Sequence, residues 1–217
     1  MAESIAAHDI TGLILAGGRG SRMGGIDKGL QRFGPWTLVE NALARLRSSG
    51  AVGTIAVNAN RNLPEYARLG VSVWPDCVEG YAGPLAGFLT GLRGCQTPWM
   101  LTVPCDTPLF PKDIVLRLAT ELVRRGGELA MAASPQATVT GVKTVAQPVF
   151  CLIRTSLQDD LAEFIETGGR KVEAWCARHR PVMVAFDRPG DDPQAFVNIN
   201  TLDELALLVN ATQNSHL

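Results

Sequence analysis

Short apolar runs alternate with segments of helical period along most of the chain. Ile10–Ala16, Val52–Val57, Val71–Trp74 and Trp99–Val103 are near-continuous apolar stretches, each closed by glycine, asparagine or a Pro/Asp break. Such runs read as strands buried on both faces. Between them, Pro35–Ser48 and Pro84–Leu92 read as helices, the first with Pro35 in its opening turn and Gly50 just past its end. Pro111–Arg125 places Ile114, Val115, Leu118 and Leu122 on one side and stops at Gly126-Gly127.

The second half predicts strands at Leu129–Ala133, Gln147–Ile153, Val182–Phe186 and Phe196–Ile199. Helices are expected over Leu157–Glu166, Lys171–Arg178 and Leu202–Asn210, the last with Thr201 as its N-cap. The alternation predicts one doubly wound, three-layer α/β/α domain with a largely parallel sheet. It spans residues 1–217, with short flexible ends at 1–8 and 212–217. Asp187–Gln194 is turn-rich but too short for a linker.

Composition narrows the function. Hydrophobic residues make up 46% of the 217, enough for a sizeable core, and the net charge is −1. That balance argues against a basic nucleic-acid binder and gives no pull toward acidic membranes. No apolar run approaches the ~20 residues that span a bilayer. Met1–Asp9 lacks the basic start of a signal peptide. The five cysteines form no C-x-x-C and no close pair, so a disulfide framework and a zinc cluster are disfavoured and a cytoplasmic location fits.

Ligands of such sheets bind beyond the carboxyl ends of the strands. There the chain places Gly17–Gly25, Asn58 with Asn60 and Arg61, Asp76, and Asp106. Residues 17–25 hold five glycines, with Arg19, Arg22 and Lys28 adding positive charge. Backbone amides and cations together suit a polyphosphate. Walker A fails because Gly29 follows Lys28, and the dinucleotide fingerprint fails at Met23 and at Asn58. Asp106 follows an apolar strand and suits Mg²⁺, which takes one or two carboxylates plus phosphate oxygens; the same residue also suits a turn or helix cap. Asp76 and Asn58 can meet a base or ribose, or serve only the local turn. Asn198 and Asn200, on either side of Ile199, share one side of the expected strand or cap the final helix. The cysteines read as small apolar core residues, with Cys105 the one worth testing because it adjoins Asp106.

These residues carry a resemblance. Leu15-Ala16-Gly17-Gly18, Arg22-Met23-Gly24-Gly25 and Asp27-Lys28-Gly29-Leu30 look like the signature of molybdenum cofactor guanylyltransferases. Val57–Arg61, Gly83–Gly87, Pro104-Cys105-Asp106-Thr107-Pro108 and Asn198–Thr201 follow in the family's order. The resemblance implies a nucleotidyltransferase, Rossmann-like fold, mainly parallel with one antiparallel strand. It implies transfer of GMP from GTP to molybdopterin, or to its molybdenum-loaded form, with release of pyrophosphate. Leu15, Ala16, Gly17, Gly18, Lys28, Asn58, Asp76 and Asp106 would bind GTP. Lys28, Arg22 and Asp106 would act in catalysis, Asp106 would hold Mg²⁺ (or Mn²⁺), and Asn198 and Asn200 would stand on the substrate side. Other cofactor-assembly proteins and acceptor molybdoenzymes are implied partners.

The related cytidylyltransferases resemble the chain less well. They typically have a second alanine where Gly17 stands, and their motif around the fourth strand differs. Other nucleotidyltransferases and a non-catalytic molybdopterin chaperone remain as alternatives. Residues 134–146 match nothing in the family pattern.

Overall fold

The structure is a computed structural model that describes residues 4–17, 26–78, 83–138 and 141–214. The first glycine loop beyond Gly17, with Gly18 and Arg22, lies outside the described residues.

Six strands enter one sheet in parallel: β1 (Ile10–Leu15), β4 (Thr54–Asn58), β5 (Ser72–Trp74), β6 (Trp99–Pro104), β7 (Leu129–Thr138) and β9 (Val182–Ala185). The seventh, β8 (Gly141–Arg154), runs antiparallel to both its neighbours. The spatial order is β5-β4-β1-β6-β8-β7-β9, so the mainly parallel sheet with one antiparallel strand is as expected.

Period-two alternation divides the core between the two faces. Ile14 of β1 packs with Val57, Leu101 and Val103 against α1 (Leu38–Ser49) and α4 (Ile114–Arg125). Leu13, one residue earlier, packs with Met100, Met131 and Ile153 on the other face. There it meets α3 (Pro84–Gly94), α5 (Gln158–Glu166) and α6 (Val172–Arg178). Helices on both faces give the three layers. A smaller cluster joins Ile199 and Leu205 of α7 (Leu202–Asn214) to Leu38.

Several boundaries differ from the sequence expectation. Helix α1 begins after Thr37, not at Pro35, because Thr37 and Glu40 form a capping box: Glu40 N–H donates to Thr37 Oγ1 (3.3 Å) and Thr37 N–H to Glu40 Oε2 (2.7 Å). Pro35 instead sits in the turn of a small hairpin, β2 (Arg32–Phe33) and β3 (Trp36–Thr37). A short helix unforeseen in the sequence, α2 (Leu63–Ala67), lies between β4 and β5. Phe196–Ile199 forms no strand; in place of a ladder, Val197 N–H closes a turn onto the Gln194 carbonyl (3.0 Å) and Ile199 N–H donates to the Asp106 carbonyl at 2.8 Å. Helix α7 runs four residues past Asn210, through the start of the tail expected to be flexible. Within the segment 134–146, residues 134–138 of β7 and 141–146 of β8 pair as a two-stranded ribbon beyond the sheet.

Candidate functional site

Parallel pairing brings four strand ends to one rim. Leu15 lies opposite Asn58 on one side and Pro104 on the other, and Asn58 lies opposite Trp74. Residues just beyond these ends are therefore neighbours, although they are up to ninety positions apart in sequence. This is the convergence the sequence predicted.

Lys28 and Asp106 meet there. Lys28 Nζ lies 3.4 Å from Asp106 Oδ2 and donates to the Ile199 carbonyl (3.1 Å) and to Asn200 Oδ1 (3.2 Å). Both charged side chains are about one-quarter exposed, so the pair is partly desolvated yet open to a ligand. Burial pushes the Asp106 carboxyl above its ordinary range, against the pull of the Lys28 ammonium. A carboxylate in that condition gains from further positive charge.

The segment expected as a strand reaches the rim by other means. Thr107 Oγ1 donates to Asn198 Oδ1, Ile199 is tied to the Asp106 backbone, and Asn200 meets Lys28. Asn198 is exposed and Asn200 half-buried. Capping falls to Thr201, whose Oγ1 accepts from the Glu204 N–H at 3.1 Å. Asn200 is thus placed at the Lys28–Asp106 centre, with Asn198 one step away on Thr107.

On the other flank, Asn58 spends both amide hydrogens inside the protein, on the Trp74 carbonyl (2.9 Å) and Asp76 Oδ1 (2.8 Å). Asn60 Nδ2 donates to Asp76 Oδ2 (2.8 Å), and the Asp76 N–H returns a bond to Asn60 Oδ1 (2.7 Å). Asn58 is nearly inaccessible, at 2% exposure, so as a donor it serves to hold Asp76 in place. Its carbonyl oxygen faces Gly17 and Gly87, where a Cβ would stand 3.0 and 2.5 Å away. Glycine is needed at position 87 for this close approach, and at position 17 a side chain would crowd the same oxygen. Leu15 and Ala16 complete the floor. The Ala16 N–H donates to the Asn58 carbonyl and the Leu15 carbonyl accepts from Cys105 N–H.

Cys105 is buried, and desolvation pushes its thiol well above its ordinary range. It packs the core under the site and is no nucleophile. Among the described residues no group of three or more His, Cys, Asp or Glu side chains forms a metal cluster. The donors that do gather, the Asp106 carboxylate with the Ile199 and Asn200 oxygens, are all hard oxygens. Such oxygens are of the kind that a divalent cation would take together with phosphate.

The sequence gives no sign that Asn62 and Tyr66 meet Asp27, the residue before Lys28. Asp27 lies within the motif around Lys28, but its partners come from α2, which is too short to show in the pattern.

The MobA-like NTP transferase domain family matches residues 12–182, so the chain is a nucleotidyltransferase. The chain is 57% identical over 206 residues to a molybdenum cofactor guanylyltransferase of Acidovorax ebreus, covering 94% of this chain and 97% of that one. It is 52% identical over 204 residues to another of Bordetella pertussis, covering 94% and 98%. This protein belongs to the molybdenum cofactor guanylyltransferase family.

Solved structures agree on the fold. Molybdopterin-guanine dinucleotide biosynthesis protein A from Archaeoglobus fulgidus superposes with a TM-score of 0.71 at 20% identity, covering 94% of this chain and 99% of that one. A 4-diphosphocytidyl-2C-methyl-D-erythritol synthase from Anaerococcus prevotii gives 0.70 at 12% identity, covering 95% and 99%. Among the described residues no helix is long and apolar enough to cross a membrane.

Proposed function

We propose that this enzyme transfers GMP from GTP to molybdopterin, or to its molybdenum-loaded form, and releases pyrophosphate. The chain acts as one nucleotidyltransferase domain in the cytoplasm. A phosphate oxygen of the acceptor attacks the α-phosphorus of GTP in line with the departing pyrophosphate. One P–O bond forms as the bond to the β-phosphate oxygen breaks, and the electron pair leaves with pyrophosphate.

The supporting observation is the 3.4 Å approach of Lys28 to Asp106 at the rim. In this reading Leu15, Ala16, Gly17 and Gly18 line the nucleotide, and Asp76, held by Asn58, faces its ribose or base. Lys28 and Arg22 neutralise charge on the α-phosphate and the leaving group, which is where preorganised donors accelerate the reaction most. Asp106, with the Asn200 side, would hold Mg²⁺, and the bound ion supplies charge neutralisation of phosphate oxygens. Asn198 and Asn200 stand toward the acceptor. No side chain needs to form a covalent intermediate.

The test is pyrophosphate release from GTP, CTP and ATP offered side by side with molybdopterin and Mg²⁺. GTP preference with formation of the guanine dinucleotide is expected. Preference for CTP would make this a cytidylyltransferase, and pterin binding with no nucleotide consumed would make it a carrier.

A further inference from the structure

The loop that carries Lys28 is fastened by residues that play no part in the proposed reaction. Asp27 Oδ1 accepts from the Tyr66 hydroxyl (2.7 Å) and from the Gly29 N–H (3.1 Å). Asp27 Oδ2 accepts from Asn62 Nδ2 (2.9 Å), and Gln31 Nε2 donates to the Asp27 carbonyl (3.0 Å). Three donors from two directions thus converge on one carboxylate, immediately before the lysine. Tyr66 is fully buried, in the same core cluster as the inner face of α1. Burial raises its hydroxyl far above the ordinary phenol range, so it stays protonated and donates. Asn62 holds a left-handed backbone conformation (φ 50°) at the start of α2, which turns its amide toward Asp27.

Gly29 fits the same device, because a Cβ at this position would collide with the Tyr66 hydroxyl. On the far side the Gly29 carbonyl accepts from the Val39 N–H at 2.9 Å, which ties the loop to α1. The backbone on both sides of Lys28 is therefore fixed, while its side chain spans to Asp106, Ile199 and Asn200. A lysine stem is long and loses much rotamer freedom when held. Fixing its root is the means available to hold the ammonium at a defined point.

We infer that Asp27, Tyr66 and Asn62 form a positioning triad that aims Lys28 at the reacting phosphates. This rests on the proposed role of Lys28 in nucleotidyl transfer. A purely structural role would fasten α2 to the sheet and leave turnover alone.

Tyr66→Phe removes one hydroxyl and keeps the ring. Its kcat for pyrophosphate release from GTP is expected to fall about tenfold, as a small misplacement of a catalytic group does, with KM for GTP within about twofold. In a Lys28→Ala background, followed in single turnover with enzyme in excess, the same change should cost nothing more, because the triad acts only through Lys28. Asn62→Gly keeps the left-handed turn and removes the amide; it should give the same pattern and serves if Tyr66→Phe folds poorly. A wild-type kcat in both variants overturns the inference, as does an undiminished tenfold loss without Lys28.

Acetylation of Lys28 by acetic anhydride, followed by mass spectrometry, reads the triad without turnover. Tyr66→Phe should speed it several-fold by loosening the ammonium from its three oxygens, and an unchanged rate counts against the triad. If wild-type protein releases no pyrophosphate from GTP, the proposed function fails, and the acetylation rate still decides whether the triad positions Lys28.

Discussion

Two carboxylates in this molecule sit among cations and donors, and they have opposite characters. Asp106, at the end of β6, is pushed up by burial and met by one ammonium at 3.4 Å. Asp160, on α5, is also penalised by burial, but hydrogen bonds from Trp175 Nε1 (2.8 Å) and His179 Nε2 (2.8 Å) and the charge of Arg178 (3.1 Å) outweigh it. Its carboxyl is held below the ordinary range. Asp160 is satisfied by side chains from one neighbouring helix. Asp106 is left wanting positive charge at a rim where four strands end. A cluster of ionisable groups is therefore not by itself a site. The useful sign is a carboxylate that the fold has gathered from distant parts of the chain and left under-neutralised.

The largest expected effect falls on Asp106. Asp106→Asn should lower kcat by about a thousandfold, the scale of losing one preorganised electrostatic group, and flatten the dependence on Mg²⁺. A normal Mg²⁺ titration of that variant would put the metal elsewhere. Lys28→Ala should cost about a hundredfold in turnover while the protein remains folded. An unchanged turnover rate would remove Lys28 from the mechanism.

Asp160→Asn should do the reverse: leave turnover at the wild-type level and lower stability by about 1–3 kcal/mol, because Arg178 would face an amide NH2 in place of a charged oxygen while Trp175 and His179 would share one neutral amide oxygen. Chemical denaturation checks the second half. A large fall in kcat with unchanged stability would break the contrast between the two carboxylates.

The same contrast sets the sign of two pH effects. The folded-state value of Asp160 lies below the ordinary 3.8, so the unfolded chain binds more protons at this group. Its contribution is present above 3.8 and is lost as pH falls through the folded value. Asp106 has a raised folded-state value, so folding takes up protons there and its charged form weighs against stability above that value. Acid titrations of the two Asn variants, followed by circular dichroism, should therefore depart from wild type in opposite directions.

Much of this was legible in the sequence, for a physical reason. Strands buried on both faces must be apolar throughout, so Ile10–Leu15 and Trp99–Pro104 announce themselves, and the polar residues that end them mark the rim. Lys28, Asp76 and Asp106 could be assigned to one edge before any coordinates. Short or edge-bound elements were not legible. The five residues of α2 carry no measurable period. The strand expected over Leu129–Ala133 continues through Pro135 to Thr138, because β9 pairs with β7 only as far as Ala133 and the proline meets no partner strand on that edge. Phe196–Ile199 reads as a short strand, but its backbone ties are a turn onto Gln194 and a bond to Asp106, and what it contributes is a place beside Lys28.

The smallest effect is expected at Cys105, which adjoins Asp106 in sequence and invites a covalent reading. Its side chain is 4% exposed and desolvation keeps the thiol protonated at neutral pH. The thiolate is the nucleophilic form, so this residue has little to offer the reaction. Cys105→Ala should keep kcat and KM for GTP within about twofold and cost about 1 kcal/mol of stability for the small cavity left behind. Preincubation with iodoacetamide should likewise leave the native enzyme's turnover intact unless it reaches the exposed Cys77, which a Cys77→Ser control separates. A Cys105→Ala variant that folds normally but loses turnover a hundredfold would show that the rim works through sulfur as well as through charge, and the comparison between Asp106 and Asp160 would no longer locate the chemistry.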